Sequence, residues 1–364
     1  MNRKKNNNKV LVVDDSALMR RQLARILGDS GEWEVHTARD GENALELIAE
    51  IDPAVVTLDV HMPVMDGLDC LSRIMTDSPR PVVMVSSITE EGALATLEAL
   101  ELGAVDYLQK PDGTVTADME RVHKDLLARV RGAASARLES AVDEEAGAAQ
   151  EDTANDTEPV VAPRSDSGVV LIGVSTGGPR TLESVLPRLP ADFPWPVVVS
   201  QHMPASFTRV FAERMDSHCV LRVQEVGRPT PLEAGNIYIG RGDADVVISR
   251  RGGRLMVMPV PSDERAFWHP SVDRLVESAL ECLSCEELIG VLLTGMGDDG
   301  AAAMKRLHDG GGLTIAESEA SCVVWGMPAA LVEANGASRV LSKGQVAGQL
   351  SRWLEPATAR VGEA

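Results

Sequence analysis

Aromatic residues are scarce in this chain, at 3% of 364 residues. A folded core must therefore rest on Val, Leu, Ile, Ala and Met, and the hydrophobic share of 44% is ordinary for a globular protein. Positive charge is also scarce, because 35 Lys and Arg stand against 55 Asp and Glu, for a net charge of −20. Nucleic-acid affinity comes largely from Lys and Arg that neutralise phosphates. We therefore expect no nucleic-acid partner and no binding to anionic lipid.

Long apolar runs are absent, and none approaches the ~20 residues that a membrane-spanning helix needs. The basic start MNRKKNNNKV leads straight into a strand pattern without the apolar core of a signal peptide. A cytoplasmic protein without direct membrane insertion is expected. Cysteine is sparse as well: Cys282 and Cys285 form a lone CxxC in a helical pattern, without a second ligand pair. Ordinary buried or surface thiols are therefore favoured over a zinc or redox site.

Length and patterning predict two domains and a linker, since one core rarely serves so long a chain. Residues 9–131 alternate apolar strands with amphipathic helices, which predicts a five-stranded parallel sheet of the flavodoxin-like kind. Residues 132–167 contain an acidic stretch rich in small residues, which predicts a flexible linker. A plain tether is favoured there over a docking segment for a partner.

Strand patterns return in residues 168–355, with helical patterns between several of them. This alternation predicts a doubly wound α/β domain with a mostly parallel sheet. The segment ISRRGGRLMVM reads instead as a hairpin, so a small antiparallel part is expected as well.

Charged and hydroxyl side chains follow the predicted strands of the first domain. Asp14 and Asp15 end the first strand, Asp59 the third and Ser86 the fourth, and Lys110 follows the fifth. The carboxyl ends of parallel strands form one ligand crevice. Three close carboxylates need a counter-charge, which Mg²⁺ would supply through oxygen ligands. In such a pocket Asp59 would attack a phosphoryl group, and Lys110 would hold a phosphate oxygen. The Ser86 hydroxyl would move in response to the arrival of that oxygen.

This ordered set, with MPVMDG after Asp59 and Pro111 after Lys110, resembles the receiver domain of bacterial two-component response regulators. The resemblance implies phosphorylation of Asp59 by a histidine kinase, here a chemotaxis kinase. It also implies Mg²⁺ held by Asp15 and Asp59 with help from Asp14. Tyr107 matches the family's rotating aromatic residue.

A serine-containing turn opens the second domain. GVSTG, with Ser175 at its centre, fits the G-x-S-x-G nucleophile elbow between a strand and a helix. A Ser/Thr/Gly-rich turn can also cradle phosphate, so the pattern by itself leaves both interpretations open. His202 follows another apolar strand and would be the base that a serine nucleophile needs. His269, in FWHPSVD, is the rival base. Either aspartate of GMGDDGA could orient the imidazole, and the other would cap the next helix.

Residues 168–350 resemble the catalytic domain of the chemotaxis protein-glutamate methylesterases. The matching segments are GVSTGGP, QHMPASFTRVFAERM, WHPSVDRL, LLTGMGDDGA and TIAESEASCVVWGMP. The resemblance implies Ser175 as nucleophile, His202 as general base and Asp299 as the orienting acid. It also implies that the backbone amides of Thr176 and Met296 form the oxyanion hole.

Together the two resemblances imply a phosphorylation-activated hydrolase of glutamate methyl esters on the cytoplasmic helices of chemoreceptors. Ester hydrolysis would need no cofactor, a monomer is expected, and slower deamidation of receptor glutamines would be a second activity. The alternative from another class is a phosphorylation-controlled module that binds an anion at GVSTGGP without covalent chemistry. Two segments depart from the family's pattern. GRGDADVV replaces a Pro-Gly-Gly-containing loop that often has a histidine close behind, and Glu317-Ser318 replaces a frequent Gln-Asp.

Overall fold

The computed structural model describes residues 8–87, 89–110, 116–137, 167–263 and 265–355. The chain divides into two compact units, Met1–Leu138 and Glu139–Ala364. Most of the predicted linker lies outside the described residues, and helix structure at its start continues to Ser135. The predicted domain bounds stay predictions. In the described ranges, no helix is long and apolar enough to cross a membrane.

The first unit, as far as it is described, is the predicted five-stranded parallel sheet, and its strand order is β2-β1-β3-β4-β5. The strands are β1 Lys9–Val13, β2 Glu34–Ala38, β3 Val55–Asp59, β4 Val82–Ser86 and β5 Asp106–Gln109. The helices are α1 Ala17–Asp29, α2 Gly41–Ile51, α3 Gly67–Asp77, α4 Glu90–Glu101 and α5 Thr116–Ser135. The central strands are buried along their whole length, which is why they read as continuous apolar runs.

Side-chain caps fix where the helices of the first unit begin. Ser16, Asp40, Asp66 and Thr89 each accept a hydrogen bond from a backbone amide in the first turn of the following helix. The cap at Ser16 lies directly after the Asp14-Asp15 pair. The chain therefore leaves the sheet at that pair, which keeps both carboxylates at the sheet's carboxyl edge.

The described part of the second unit holds a parallel sheet with the strand order β15-β14-β13-β6-β7-β10-β8. Its strands are β6 Val169–Val174, β7 Val197–Gln201, β8 Arg222–Val226, β10 Asn236–Gly240, β13 Leu288–Leu292, β14 Leu313–Glu317 and β15 Arg339–Leu341. The helices are α6 Gly178–Val185, α7 Ala205–His218, α8 Val272–Leu280, α9 Ala301–Asp309, α10 Met327–Glu333 and α11 Lys343–Leu354. Sheet order reverses at β6, because β7 lies on one side of it and β13 on the other.

A smaller antiparallel sheet packs in the same unit and contains the predicted hairpin. Its strands are β9 Thr230–Pro231, β11 Ala244–Arg251 and β12 Arg254–Pro261. The predicted single helix over Cys282 and Cys285 is wrong, because helix α8 ends at Leu280. Cys282 lies in the turn that follows, and Cys285 begins a separate 3-10 turn that Ser284 caps through a capping box with Glu287. Both cysteines are free thiols.

Candidate active site and phosphorylation pocket

The acidic residues of the first unit meet at the carboxyl ends of β1 and β3. One oxygen from each of Asp14, Asp15 and Asp59 lies within 4.8 Å of the others. Lys110 Nζ is 3.0 Å from Asp14 Oδ2 and 2.7 Å from Asp59 Oδ2. Asp14 and Asp59 are buried, whereas Asp15 is exposed. The structure thus brings together four of the residues predicted for this pocket.

One lysine only partly offsets the charge of this carboxylate cluster. Burial raises the pKa of Asp59 above its ordinary value, and the nearby Asp14 charge acts in the same direction against the Lys110 hydrogen bond. Burial acts to lower the pKa of Lys110, but its contacts with Asp59 and Asp14 outweigh burial and raise it. Ionised Asp59 is therefore disfavoured in the folded chain without a further cation.

Ser86 is the last residue of β4, and Tyr107 is the second residue of the neighbouring β5. The Ser86 hydroxyl donates to the Gly92 carbonyl at 3.0 Å, in the first turn of α4. The Tyr107 ring is buried, and the Arg129 guanidinium carbon lies 5.4 Å from its centroid. Arg129 also pairs with Asp106 at 2.7 Å. Ser86 thus connects the pocket to α4, and Tyr107 packs inward beside a buried ion pair.

The donor chemistry of the pocket fits a hard divalent cation. Carboxylate oxygens are the ligands that Mg²⁺ prefers, and three carboxylates from two strand ends converge here. The exposed position of Asp15 leaves room for water ligands, which Mg²⁺ usually keeps.

In the second unit, Ser175 lies in a tight turn between β6 and α6. The turn needs Gly177, which has φ +77°, and a side-chain carbon there would come within 2.6 Å of Val323 Cβ. The Ser175 amide donates to the Thr294 carbonyl at 2.9 Å, which ties the turn to the loop after β13. The serine is 8% exposed, so the turn that carries it is nearly buried.

His202 follows β7 and connects Ser175 to Asp299. Its Nδ1 lies 3.0 Å from Ser175 Oγ, and its Nε2 lies 2.8 Å from Asp299 Oδ2. With Nε2 donating to the carboxylate, Nδ1 is left as an acceptor for the serine hydroxyl. The ring is buried, and the Gln201 side-chain amide donates to the His202 and Ser175 carbonyls, each at 3.1 Å.

Asp299 is surrounded by hydrogen-bond donors at the start of α8. It accepts from the Val272 amide at 2.7 Å, the Asp273 amide at 3.0 Å and Ser271 Oγ at 3.1 Å. Burial acts to raise the pKa of Asp299, but these donors and His202 outweigh burial and hold it below its ordinary value.

The neighbouring Asp298 is exposed, and its carbonyl accepts from the Ala301 amide at the start of α9. Between α9 and Asp299, Gly300 has φ +89°, and a side-chain carbon there would come within 2.4 Å of Val272 Cγ1. A glycine is therefore needed for the chain to pass this close to α8 and aim Asp299 at His202.

Of the predicted oxyanion donors, Thr176 follows Ser175 in the same turn, and Met296 lies in the loop after β13. Within the residues that the structure describes, the Met296 amide makes no hydrogen bond. Thr294 Oγ1 donates to the Thr176 carbonyl at 3.0 Å and accepts from the Val324 amide at 3.0 Å. Thr294 thus joins the serine turn to the loop that carries Met296, a role that its sequence context did not indicate.

Two further residues of the site were missed at the level of sequence. The Trp268 ring stacks on His202, with centroids 5.7 Å apart and planes at 13°. Ser271, which caps α8, also donates to Asp299. A serine directly before the helical pattern VDRLVESAL is a typical helix cap, but the contact of Ser271 with Asp299 depends on the fold.

These features define a class of protein: a receiver-type unit joined to an α/β unit with serine, histidine and aspartate in one hydrogen-bonded line. A family model described as "CheB methylesterase" matches residues 170–350, and one described as "Response regulator receiver domain" matches residues 10–117. The chain belongs to the family of receiver-linked CheB methylesterases.

Similar proteins match over nearly the full length. A Rhodospirillum rubrum protein-glutamate methylesterase/protein-glutamine glutaminase 3 is 54% identical, over 95% of this chain and 96% of its own. A Vibrio cholerae protein of the same name is 45% identical, over 89% of this chain and 90% of its own. The solved Thermotoga maritima CheB methylesterase catalytic domain is 38% identical with a TM-score of 0.49, covering 50% of this chain and 97% of that domain.

Proposed function

We propose that this chain hydrolyses glutamate methyl esters of chemoreceptors, and that phosphorylation of its receiver unit activates it. The observation that carries the proposal is the hydrogen-bonded line from Ser175 through His202 to Asp299 at the point where the sheet order reverses. Ligand sites of open α/β sheets form at such a point. We call these three residues the triad.

Ser175 Oγ attacks the ester carbonyl while His202 Nδ1 takes its proton. Asp299 holds the ring through Nε2–H and stabilises the imidazolium that forms. Backbone amides of Thr176 and Met296 would receive the developing oxyanion, and one such donor is worth about 10²–10³ in rate. The departing methoxide then takes the proton from Nδ1, which leaves an acyl-enzyme.

Water completes the reaction by the same route. His202 accepts a proton from water, the hydroxide adds to the acyl carbon, and the C–O bond to Ser175 breaks as Oγ regains a proton. A free glutamate carboxylate and methanol are the products. An amide side chain would enter the same sequence and lose ammonia. Deamidation of glutamine is therefore the second proposed activity, slower because an amide releases a poorer leaving group.

In the receiver unit, Asp59 is the proposed phosphoryl acceptor. Asp14, Asp15 and Asp59 would hold Mg²⁺, which neutralises charge on the incoming phosphoryl group. Lys110 would contact a phosphate oxygen. Ser86 and Tyr107 would transmit the structural change that phosphorylation causes to the surface beside α4. A chemotaxis histidine kinase is the proposed phosphate source, and the cytoplasm the proposed location.

The direct test measures methanol release from membranes that carry methylated chemoreceptors, with and without the phosphodonor acetyl phosphate and Mg²⁺. Release that depends on Ser175 and rises with the phosphodonor is the expected result. Asp59→Asn keeps the shape of the side chain but cannot accept a phosphoryl group, so it should retain the basal rate and lose the rise. Equal stimulation of this variant would contradict phosphorylation at Asp59.

A further inference from the structure

A second aspartate–histidine pair is buried near the triad. Asp245 is the second residue of β11, in the segment GRGDADVV, and is 0% exposed. His269 Nδ1 lies 2.8 Å from Asp245 Oδ1. Asp245 also accepts from Arg274 at 2.7 Å, and from the backbone amides of Ser271 at 2.8 Å and Asp263 at 3.0 Å.

These donors make Asp245 a charged anchor. Burial acts to raise its pKa, but hydrogen bonds from His269, the Ser271 amide and Arg274 outweigh burial and hold the pKa below its ordinary value. Hydrogen bonds to an ionised acceptor are about twice as strong as neutral ones. The anchor joins β11 to the start of α8, and Arg274 extends it to the Pro261 carbonyl at the end of β12.

The chain that the anchor holds, residues 267–273, contacts two members of the triad. At one end, Trp268 stacks on the His202 ring. At the other, Ser271 Oγ and the amides of Val272 and Asp273 donate to the Asp299 carboxylate. A change in the path of this segment would therefore alter the orientation of both the base and the acid.

We propose that the Asp245–His269 pair positions the triad through residues 267–273. This inference rests on the proposed function and extends it to residues that do not touch the substrate. It also gives a role to the segment GRGDADVV, which departs from the family's loop pattern, because Asp245 belongs to that segment. The acid comes from the start of β11 and the histidine from the segment that it anchors.

His269 is a positioning residue here rather than a second base. Its Nδ1 faces Asp245, and its carbonyl accepts from the Met203 amide at 3.3 Å, one residue beyond His202. The Ser200 hydroxyl also donates to the Pro270 carbonyl at 2.6 Å. The segment is thus fixed to the end of β7 as well as to Asp245.

The test compares three variants of the full-length chain: Asp245→Asn, His269→Leu and His269→Asn. Asn can place an amide donor near the position of the imidazole Nδ1, whereas Leu has no donor. A misplacement near 1 Å can cost about 10²-fold in rate, and we expect kcat to fall about 10-fold for Asp245→Asn and His269→Leu. KM should change by less than about 2-fold, because the affected groups act in the transition state.

His269→Asn should recover most of the kcat that His269→Leu loses. Asp263→Asn is the matched control, since that partly exposed side chain pairs with Arg265 and only its backbone amide contacts Asp245. Thermal unfolding of every variant separates lost activity from lost folding. If Asp245→Asn does not fold, the two His269 variants decide the outcome.

A second readout is the rate at which a fluorophosphonate probe phosphonylates Ser175 with loss of fluoride, because it needs an aligned His202 but no receptor substrate. It should fall in parallel with kcat. If the parent chain is not phosphonylated, the proposed function and this inference both fail. If the parent is phosphonylated and the folded variants react equally fast, only the inference is overturned. A loss in His269→Asn as deep as in His202→Ala would make His269 a catalytic base and also overturn it.

Discussion

Both units place carboxylates at the carboxyl ends of parallel strands, but they surround those carboxylates differently. In the receiver pocket, Asp14 and Asp59 share one lysine, and burial raises the pKa of Asp59. In the second unit, Asp299 collects three local donors as well as His202, and its pKa is lowered. The carboxyl edges of the two sheets therefore hold different pockets: one with more carboxylates than cations, and one whose carboxylate is surrounded by donors.

The difference matches what each site is proposed to do. A phosphate acceptor gains from an incomplete charge balance, because an added cation and phosphoryl group then change the pocket substantially. A triad acid gains from a fixed, ionised state, because it must stabilise an imidazolium without moving. Replacing a charged residue at each site in turn tests this electrostatic difference.

The largest effect is expected at the triad acid. Asp299→Asn removes the charge opposite the imidazolium and should lower kcat by about 10³–10⁴-fold. Asp298→Asn alters an exposed neighbour in the same turn and should change kcat by less than about 2-fold, as surface changes usually do. Methanol release under saturating substrate measures both. A reversed ranking would exchange the roles of the two aspartates.

Removal of divalent metal should impair the receiver pocket and leave the triad active. A chelator should abolish the rise in methanol release that a phosphodonor produces, since the receiver carboxylates need a cation to accept a phosphoryl group. The basal rate should stay within about 2-fold, because the proposed hydrolysis uses groups of the chain alone. Restoring Mg²⁺ is the control. A basal rate that also collapses would contradict this division.

Stability should respond in opposite directions when the two aspartates are neutralised at pH 7 without Mg²⁺. Asp59→Asn removes a charge that the folded receiver disfavours, so its thermal midpoint should rise. Asp299→Asn removes a charge that the folded second unit favours, so the midpoint of that unit should fall. Calorimetry of the full chain measures both transitions. Shifts of the same sign would contradict the electrostatic contrast.

The pH dependence of stability should also differ in sign between Asp299 and Asp59. The stabilising contribution of Asp299 is present above its unfolded pKa of about 3.9 and is lost as pH falls through its lower folded value. The folded pKa of Asp59 lies above the unfolded one, so acidification between the two stabilises the receiver. In the corresponding Asn variants, each of these contributions should disappear from the stability–pH curve.

A small effect is expected at Glu317, one of the departures from the family's pattern. This fully buried carboxylate accepts from the Thr294 amide at 2.8 Å and from Ser321 Oγ at 2.9 Å, and burial raises its pKa. Glu317→Gln retains an acceptor for Thr294 and should change kcat by less than about 3-fold. Glu317→Ala leaves the amide unpaired and should cost more. Equal effects would show that the contact does not support the loop.

The strands and the chain positions of Ser175 and His202 could be predicted because both residues directly follow continuous apolar runs. The choice between Asp298 and Asp299 could not be made from the pattern, because both lie in one glycine-rich turn. It depends on which carboxylate the close approach at Gly300 aims at α8.

The supporting residues were not predictable for a related reason. Trp268 and Ser271 act across the fold on residues distant in sequence, and neither has a local signature for that contact. Asp245 appeared in the sequence only as a departure from a family loop. From the sequence, its partner His269 is a rival to His202 as the base. Only the fold places the side chains of His269 and Asp245 together.

The intact mass and peptide map of the full chain after reaction with a fluorophosphonate probe would show directly whether Ser175 is an activated nucleophile. We expect one adduct per chain, on Ser175, formed at least about 10²-fold more slowly in His202→Ala. A chain that stays unlabelled, or that is labelled at Ser175 equally fast without His202, would contradict it.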